Sequence, residues 1–208
     1  MTRVLFFFLF LGYNSFSQTI IRGVTTISTD NIYSDSVNSS PNKLFNDRIK
    51  IAQIDKSEAK IDIRLYTIHS MSNTRSLRRI YMVGTTWKAF EYYESNNPIK
   101  ITKHKLNFES SIDSIVLQLF SSNILSLPNQ SDLKSKMRKI SVTEEGDTLY
   151  NHIAVLDGNS YIVEFKINNK FRVYSFDNPE RYARFYDKVS ELKDYQKINE
   201  IFKFLRRK

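Results

Sequence analysis

The side chains able to do chemistry are few and scattered. His69, His104 and His152 are the only imidazoles, and none lies in an H-E-x-x-H or similar spacing that would place two metal ligands on one helix face. Serine is abundant, yet no serine sits in G-x-S-x-G. The S-x-x-K matches at Ser57-Glu58-Ala59-Lys60, Ser131-Asp132-Leu133-Lys134 and Ser190-Glu191-Leu192-Lys193 lack the companion motifs that hydrolases need. Glu144, Glu145 and Asp147 surround Gly146 in an expected turn, a setting without the burial that fits a carboxyl for acid catalysis. With five glycines in the chain and neither G-x-G-x-x-G nor a Walker motif, no phosphate-cradling loop is present. No cofactor and no metal site is indicated.

Aromatic residues offer more. Tyr66, Tyr81, Trp87, Tyr92, Tyr93, Tyr161 and Tyr174 all fall on expected strands. A solvent-facing aromatic patch flanked by Arg64, Arg79 and Arg172 would stack sugar rings or a partner's side chains. The competing reading is cross-strand packing in the core. Trp87, Tyr92, Glu164, Arg172 and Tyr174 are the candidate binding residues. Glu164, Arg172 and Tyr174 share a face if the turn at Asn168-Asn169 sets Ile167 opposite Phe171, the register that matches apolar with apolar.

The elements that must position these residues read from periodicity. Gln18 to Ser28 suits a first strand, and Thr29 to Asn42 is a polar linker. Leu44 to Ile54 fits a helix. Ile61 to Thr67 alternates with period two, and Leu77–Gly84, Trp87–Glu94 and Ile99–Leu106 follow after breaks too short for parallel crossovers, which implies an antiparallel meander. Ile112, Ile115, Val116, Leu119 and Phe120 make the apolar stripe of a helix capped by Ser110 or Ser111 and ended by Leu127-Pro128. Asn129 to Lys139 is an expected surface loop. Strands are expected over 140–143, 149–156, 161–167 and 171–176, with Asp157-Gly158 as a hairpin turn. Asn178-Pro179 opens a short helix, and from Asp194 a last helix carries Ile198, Ile201, Phe202 and Leu205 on one face. Strands in runs, interrupted by separate helices, imply an α+β fold: an antiparallel sheet of meander and hairpins with helices packed on one face.

At the N-terminus Arg3 precedes the apolar run Val4 to Gly12, followed by Ser15-Phe16-Ser17, the pattern of a signal peptide cut before Gln18. The expected organisation is a signal peptide over 1–17, an N-terminal strand and polar linker over 18–42, and one α+β domain over 43–208. The apolar run is shorter than the roughly 17–25 residues of a spanning helix, so no transmembrane segment is expected in the mature form. The chain has no cysteine, which excludes disulfides, thiolate sites and a cysteine nucleophile. Its net charge is +9, densest at Lys134, Lys136, Arg138 and Lys139 and at the final Arg206-Arg207-Lys208. In an exported protein that charge suits an anionic surface or glycan rather than nucleic acid. Asp35-Ser36-Val37 resembles an acceptor for bacterial O-glycosylation, with Ser36 in the polar linker.

Three stretches are familiar: Trp87-Lys88-Ala89 with Tyr92-Tyr93; Asn123 to Leu133; and Asp157-Gly158-Asn159-Ser160-Tyr161 followed by Phe171 to Ser175 and Asn178-Pro179. Together they resemble a group of small, uncharacterised exported bacterial proteins, and the resemblance implies no activity. Members often look like lipoproteins, a form from which the missing cysteine departs. The expected role is a non-catalytic binding or structural module of the cell envelope, periplasmic or secreted, with an envelope protein, glycan or anionic surface as partner. The alternatives are an anionic-polymer binder and a hydrolase. A hydrolase site would bring a histidine beside Glu164 or Asp157.

Overall fold

The computed structural model describes residues 18–21, 25–28, 42–72, 74–108 and 110–208. The expected signal peptide, Ser36 and nearly all of the polar linker lie outside the described residues. The chain divides into two compact units between residues 31 and 32. In the first, strands β1 (Gln18–Ile21) and β2 (Thr25–Ser28) form a hairpin where one strand was expected, with Gln18 opposite Ser28.

The second unit is an α+β fold. In chain order it contains α1 (Lys43–Arg48), β3 (Ile61–His69), β4 (Thr74–Val83), β5 (Thr86–Asn96), β6 (Ile99–Asn107), α2 (Ile112–Ser121), β7 (Lys139–Val142) and β8 (Thr148–Asn151). There follow β9 (Asn159–Ile167), β10 (Lys170–Asp177), α3 (Pro179–Phe185), α4 (Ser190–Lys203) and β11 (Arg206–Arg207). Seven strands make one antiparallel sheet in the order β10-β9-β3-β4-β5-β6-β11, while β7 and β8 pair only with each other. The β3–β6 meander follows from short turns: Gly84 supplies the positive φ, +59°, between β4 and β5.

The sheet has two covered faces. Residues 42–59 cover one, where Phe45, Ile49 and Ile51 pack on Tyr66, Leu77, Tyr92 and Ile162. On the opposite face Phe176 stacks on Tyr195 of α4 at 4.7 Å and Trp87 donates from Nε1 to Asp113 of α2 at 2.9 Å. The longer helices therefore share a face, and the short α1 lies on the other. Ser111 caps α2 by accepting from the Ser114 amide at 3.2 Å.

Several expectations are corrected. The turn at Asn168-Asn169 holds two residues, with Asn168 at φ +52°, so Lys170 pairs with Ile167 and Arg172 with Phe165. The turn's geometry overrides apolar matching, because this edge strand finds its packing from Leu125 to Gln130 instead. Arg172 and Tyr174 consequently face away from Glu164. Asp157-Gly158 does not join a β8–β9 hairpin: the expected strand 149–156 stops at Asn151, and β8 pairs with β7. Helix α2 ends at Ser121, where Asn123 takes φ +54°, before Leu127-Pro128. Asn42, expected in the linker, is fully buried.

Candidate ligand-binding cleft

On the helix-side face, one row of side chains crosses four neighbouring strands: Tyr161 of β9, Thr67 of β3, Ser76 of β4 and Tyr93 of β5. All four line a cleft of about 250 Å³. Strands lie about 4.8 Å apart, so two short hydroxyl side chains separate two tyrosines and form the floor of a trough. Tyr161 is nearly buried and held by parallel stacking on Phe176 at 5.2 Å, whereas Tyr93 is half-buried.

The trough lies where the inward stripes turn from apolar to polar, at Thr67 in β3 and Tyr161 in β9, and one pair earlier, at Arg78 and Glu91, in β4 and β5. In β3 the sequence is Ile61, Ile63, Leu65, Thr67, His69; in β4, read the other way, Ile80, Arg78, Ser76, Thr74; in β9, Phe165, Val163, Tyr161, Asn159. The C-terminal end of α4 borders the cleft through Asn199, Phe202 and Lys203, and β11 adds Arg207.

At one end Glu91 is gripped by two guanidinium groups. Arg78 Nε donates to Oε1 at 2.9 Å and Arg207 Nε donates to Oε2, while Arg78 also donates to the Phe202 carbonyl. Burial pushes the Glu91 carboxyl up, but the hydrogen bonds from Arg207 and Arg78 outweigh it and hold it below its ordinary value. Glu91 is therefore a fixed anion with both oxygens engaged. The terminal nitrogens of Arg207, a side chain half-exposed, have no hydrogen-bond partner among the described residues.

At the other end His69 Nδ1 lies 2.9 Å from Asn159 Oδ1, and Asn159 Nδ2 donates to the Tyr161 hydroxyl at 3.4 Å. With that amide orientation Nδ1 carries a proton, and in the neutral ring Nε2 is an acceptor. Asn159 is itself anchored, its amide donating to Asn178 Oδ1 at 3.0 Å and its carbonyl accepting from the Asn178 amide at 3.0 Å. Gly158 is required here: a Cβ would stand 1.8 Å from Asn178 Oδ1. The Asp157-Gly158 pair thus admits a side chain instead of turning a hairpin. Asn199 is 3 % exposed, and its Nδ2 donor has no hydrogen-bond partner among the described residues.

The residues singled out from sequence are distributed differently. Trp87 is half-buried against α2. Tyr174 is packed among Phe176 and Tyr195, and its hydroxyl has no hydrogen-bond partner among the described residues. Arg172 reaches the Leu125 carbonyl at 3.4 Å. Tyr92 belongs to the apolar cluster under α1. The expected solvent-facing patch is corrected: Tyr66, Tyr92, Tyr161 and Tyr174 are each at most 8 % exposed.

Glu164 lies on the α1 side in a closed ionic network. Arg64 donates to Glu164 Oε2 at 3.3 Å and to Asp62 Oδ2 at 2.8 Å, and all three side chains are inaccessible to solvent. Arg79 grips Asp62 at 2.7 and 2.9 Å, and Ser57 donates to it at 2.6 Å. The Tyr66 hydroxyl lies 3.0 Å from Glu164 and 2.9 Å from Asn46 Oδ1, while Asn42 Nδ2 donates to Glu164 at 3.2 Å. Burial raises the Asp62 carboxyl, yet the Arg64 charge and the Arg79 bonds prevail and hold it below the usual range. Burial, reinforced by the Glu164 charge, pushes the Tyr66 phenol well up, so it stays a donor.

His69 and Glu164 project from opposite faces of the sheet, so the pair considered for a hydrolase is not assembled. His152 and Asp157 are exposed, and among the described residues no histidine hydrogen-bonds a carboxylate. No protein-family model, curated protein or solved structure matches the chain.

Proposed function

We propose that this chain is a non-catalytic binding module of the bacterial cell envelope that holds one sugar ring of an envelope glycan in the helix-side cleft. The observation that carries this reading is the row Tyr161–Thr67–Ser76–Tyr93, two aromatic walls with a hydroxyl floor. A sugar presents C–H faces that stack on an aromatic ring and hydroxyls that need donors and acceptors; Tyr93 supplies the first, and Thr67, Ser76, Asn199 and His69 Nε2 supply the second. The cleft's volume, about 250 Å³, falls just under the range of roughly 300–1,000 Å³ for drug-sized ligands, which suits a single ring.

Two features favour binding over turnover. Glu91 is an ionised acceptor with no proton to give, and His69 is oriented by an amide instead of a carboxylate. The signal-like first seventeen residues support export with cleavage before Gln18, to the periplasm or beyond. The basic surface supports an anionic envelope polymer as the setting.

Calorimetric titration of the purified protein with neutral and acidic monosaccharides tests the reading. A saturable heat is expected for at least one sugar, and Thr67→Trp, which fills the trough, should abolish it while leaving far-UV circular dichroism unchanged. Hydrolysis of a glycan by the purified protein, or binding that Thr67→Trp does not disturb, overturns it.

A further inference from the structure

The β7–β8 hairpin exposes large apolar side chains on both of its strands. Its cross-strand pairs run Lys139–Asn151, Ile140–Tyr150, Ser141–Leu149 and Val142–Thr148. Ile140, Val142 and Tyr150 therefore share one face, and they are 58 %, 67 % and 60 % exposed. Such side chains, adjacent and unpartnered, mark an interaction site more often than single exposed leucines do. The two strands pair with each other and, among the described residues, with no third strand.

Charge is ordered along the hairpin. At the root stand Lys134, Arg138 and Lys139; at the tip stand Glu144, Glu145 and Asp147, all exposed. Lys139 sits over the Phe185 ring at 5.0 Å, and Lys136 beside them is taken by Glu191. Lys134 and Arg138 have no carboxylate partner among the described residues, and neither do the three acidic side chains a basic one. A rod that is basic at one end, apolar in the middle and acidic at the other is complementary to itself when reversed.

We propose that a second copy of this chain docks here, the two hairpins lying antiparallel about a two-fold axis. Ile140, Val142 and Tyr150 of each copy then form the dry centre, and each acidic tip meets the other copy's Lys134 and Arg138. This is the isologous arrangement, in which one patch serves both partners, with an apolar core and a charged rim. An anionic membrane fits less well, since the acidic tip would be repelled from it. The proposal does not depend on the cleft: the hairpin contributes no residue to it.

Sedimentation velocity on the purified protein at low salt tests this. A dimer is expected, with its dissociation constant rising as salt is added. Val142→Ser combined with Tyr150→Ser should weaken it at least about tenfold. Glu144→Lys with Glu145→Lys, and separately Lys134→Glu with Arg138→Glu, should each yield a monomer, and mixing the two charge-reversed proteins should restore a one-to-one dimer. Rescue on mixing separates a lost interface from a misfolded variant. A wild-type monomer overturns the proposal, whether or not it co-sediments with phosphatidylglycerol vesicles, and so does a dimer that the hairpin substitutions leave intact.

Discussion

Under residues 42–59, Asp62 and Glu164 are stripped of water and surrounded by guanidinium, hydroxyl and amide partners supplied by Arg64, Arg79, Ser57, Tyr66 and Asn42. Under α4, Glu91, 3 % exposed, also meets two guanidinium groups, but it stands at the wall of an open cleft where the half-exposed Arg207 guanidinium lies 6.0 Å from the Tyr93 ring and its terminal nitrogens have no hydrogen-bond partner among the described residues. The two clusters use the same residue types on opposite faces of one sheet. What separates them is access. In the first, charge fastens a short N-terminal segment to the strands; in the second, the same chemistry leaves donors free at the end of a trough. A carboxylate beside an arginine is therefore no sign of a site until the space around it is known.

The sharpest way to break this contrast is to remove Glu164. Glu164→Ala leaves buried Arg64 with Asp62 as its one carboxylate and takes the acceptor from Tyr66 and Asn42, and loss of one member of such a buried network costs about 3–5 kcal/mol. Urea unfolding should record a loss of that size, while the protein that remains folded keeps its ligand affinity. A change below about 1 kcal/mol would mean that the network is solvated and the contrast false.

Acid should affect both clusters in the same direction. Asp62 and Glu91 have folded pKa values below their unfolded ones, so the unfolded chain takes up protons first as pH falls. Their contribution to stability is complete above the ordinary carboxylate range, about pH 4, and is lost as pH drops through that range toward the depressed folded values. Thermal unfolding across that window should show stability falling on acidification, less steeply in Glu91→Gln. A rise in stability on acidification would reverse the sign of the account.

The smallest effect concerns the packed aromatics beside the cleft. Tyr174 is 1 % exposed, its hydroxyl has no hydrogen-bond partner among the described residues, and burial pushes its phenol well above its ordinary value. Tyr174→Phe removes an unsatisfied polar atom, so the protein should gain about 1 kcal/mol by urea unfolding, with sugar binding unaltered. Destabilisation by that substitution would show that the hydroxyl has a structural role on this face.

Much of the fold was legible because period-two alternation and short breaks specify antiparallel neighbours. The β3–β6 meander and the stripe of α2 could be read directly. The partnership of β9 with β3 could not, since Ile61↔Ile167 joins residues that no local turn connects. Asp157-Gly158 misled for a physical reason: the glycine serves the close approach of Asn178, not a two-residue hairpin. The register at Asn168-Asn169 went to turn geometry over apolar matching, and that single-residue slip moved Arg172 and Tyr174 to the face opposite Glu164.

The cleft itself left a trace in the sequence. Thr67 and His69 end an otherwise aliphatic stripe in β3, in β4 Arg78, Ser76 and Thr74 follow Met82 and Ile80, and a polar end to several inward stripes marks where a core gives way to a cavity. Arg207 showed only as part of the basic run Arg206-Arg207-Lys208 and Asn199 left no trace, because only the return of α4 and β11 across the sheet brings them to Glu91 and the trough.

The most direct measurement is amide chemical-shift mapping of the isotope-labelled protein titrated with the sugar that gives the strongest calorimetric response. Shifts confined to Thr67, His69, Ser76, Tyr93, Asn159 and Tyr161 are expected, with Asn46, Asp62, Arg64 and Glu164 unmoved. Shifts centred on the buried network, or none with any sugar of the set, would contradict the assignment of one face to structure and the other to binding.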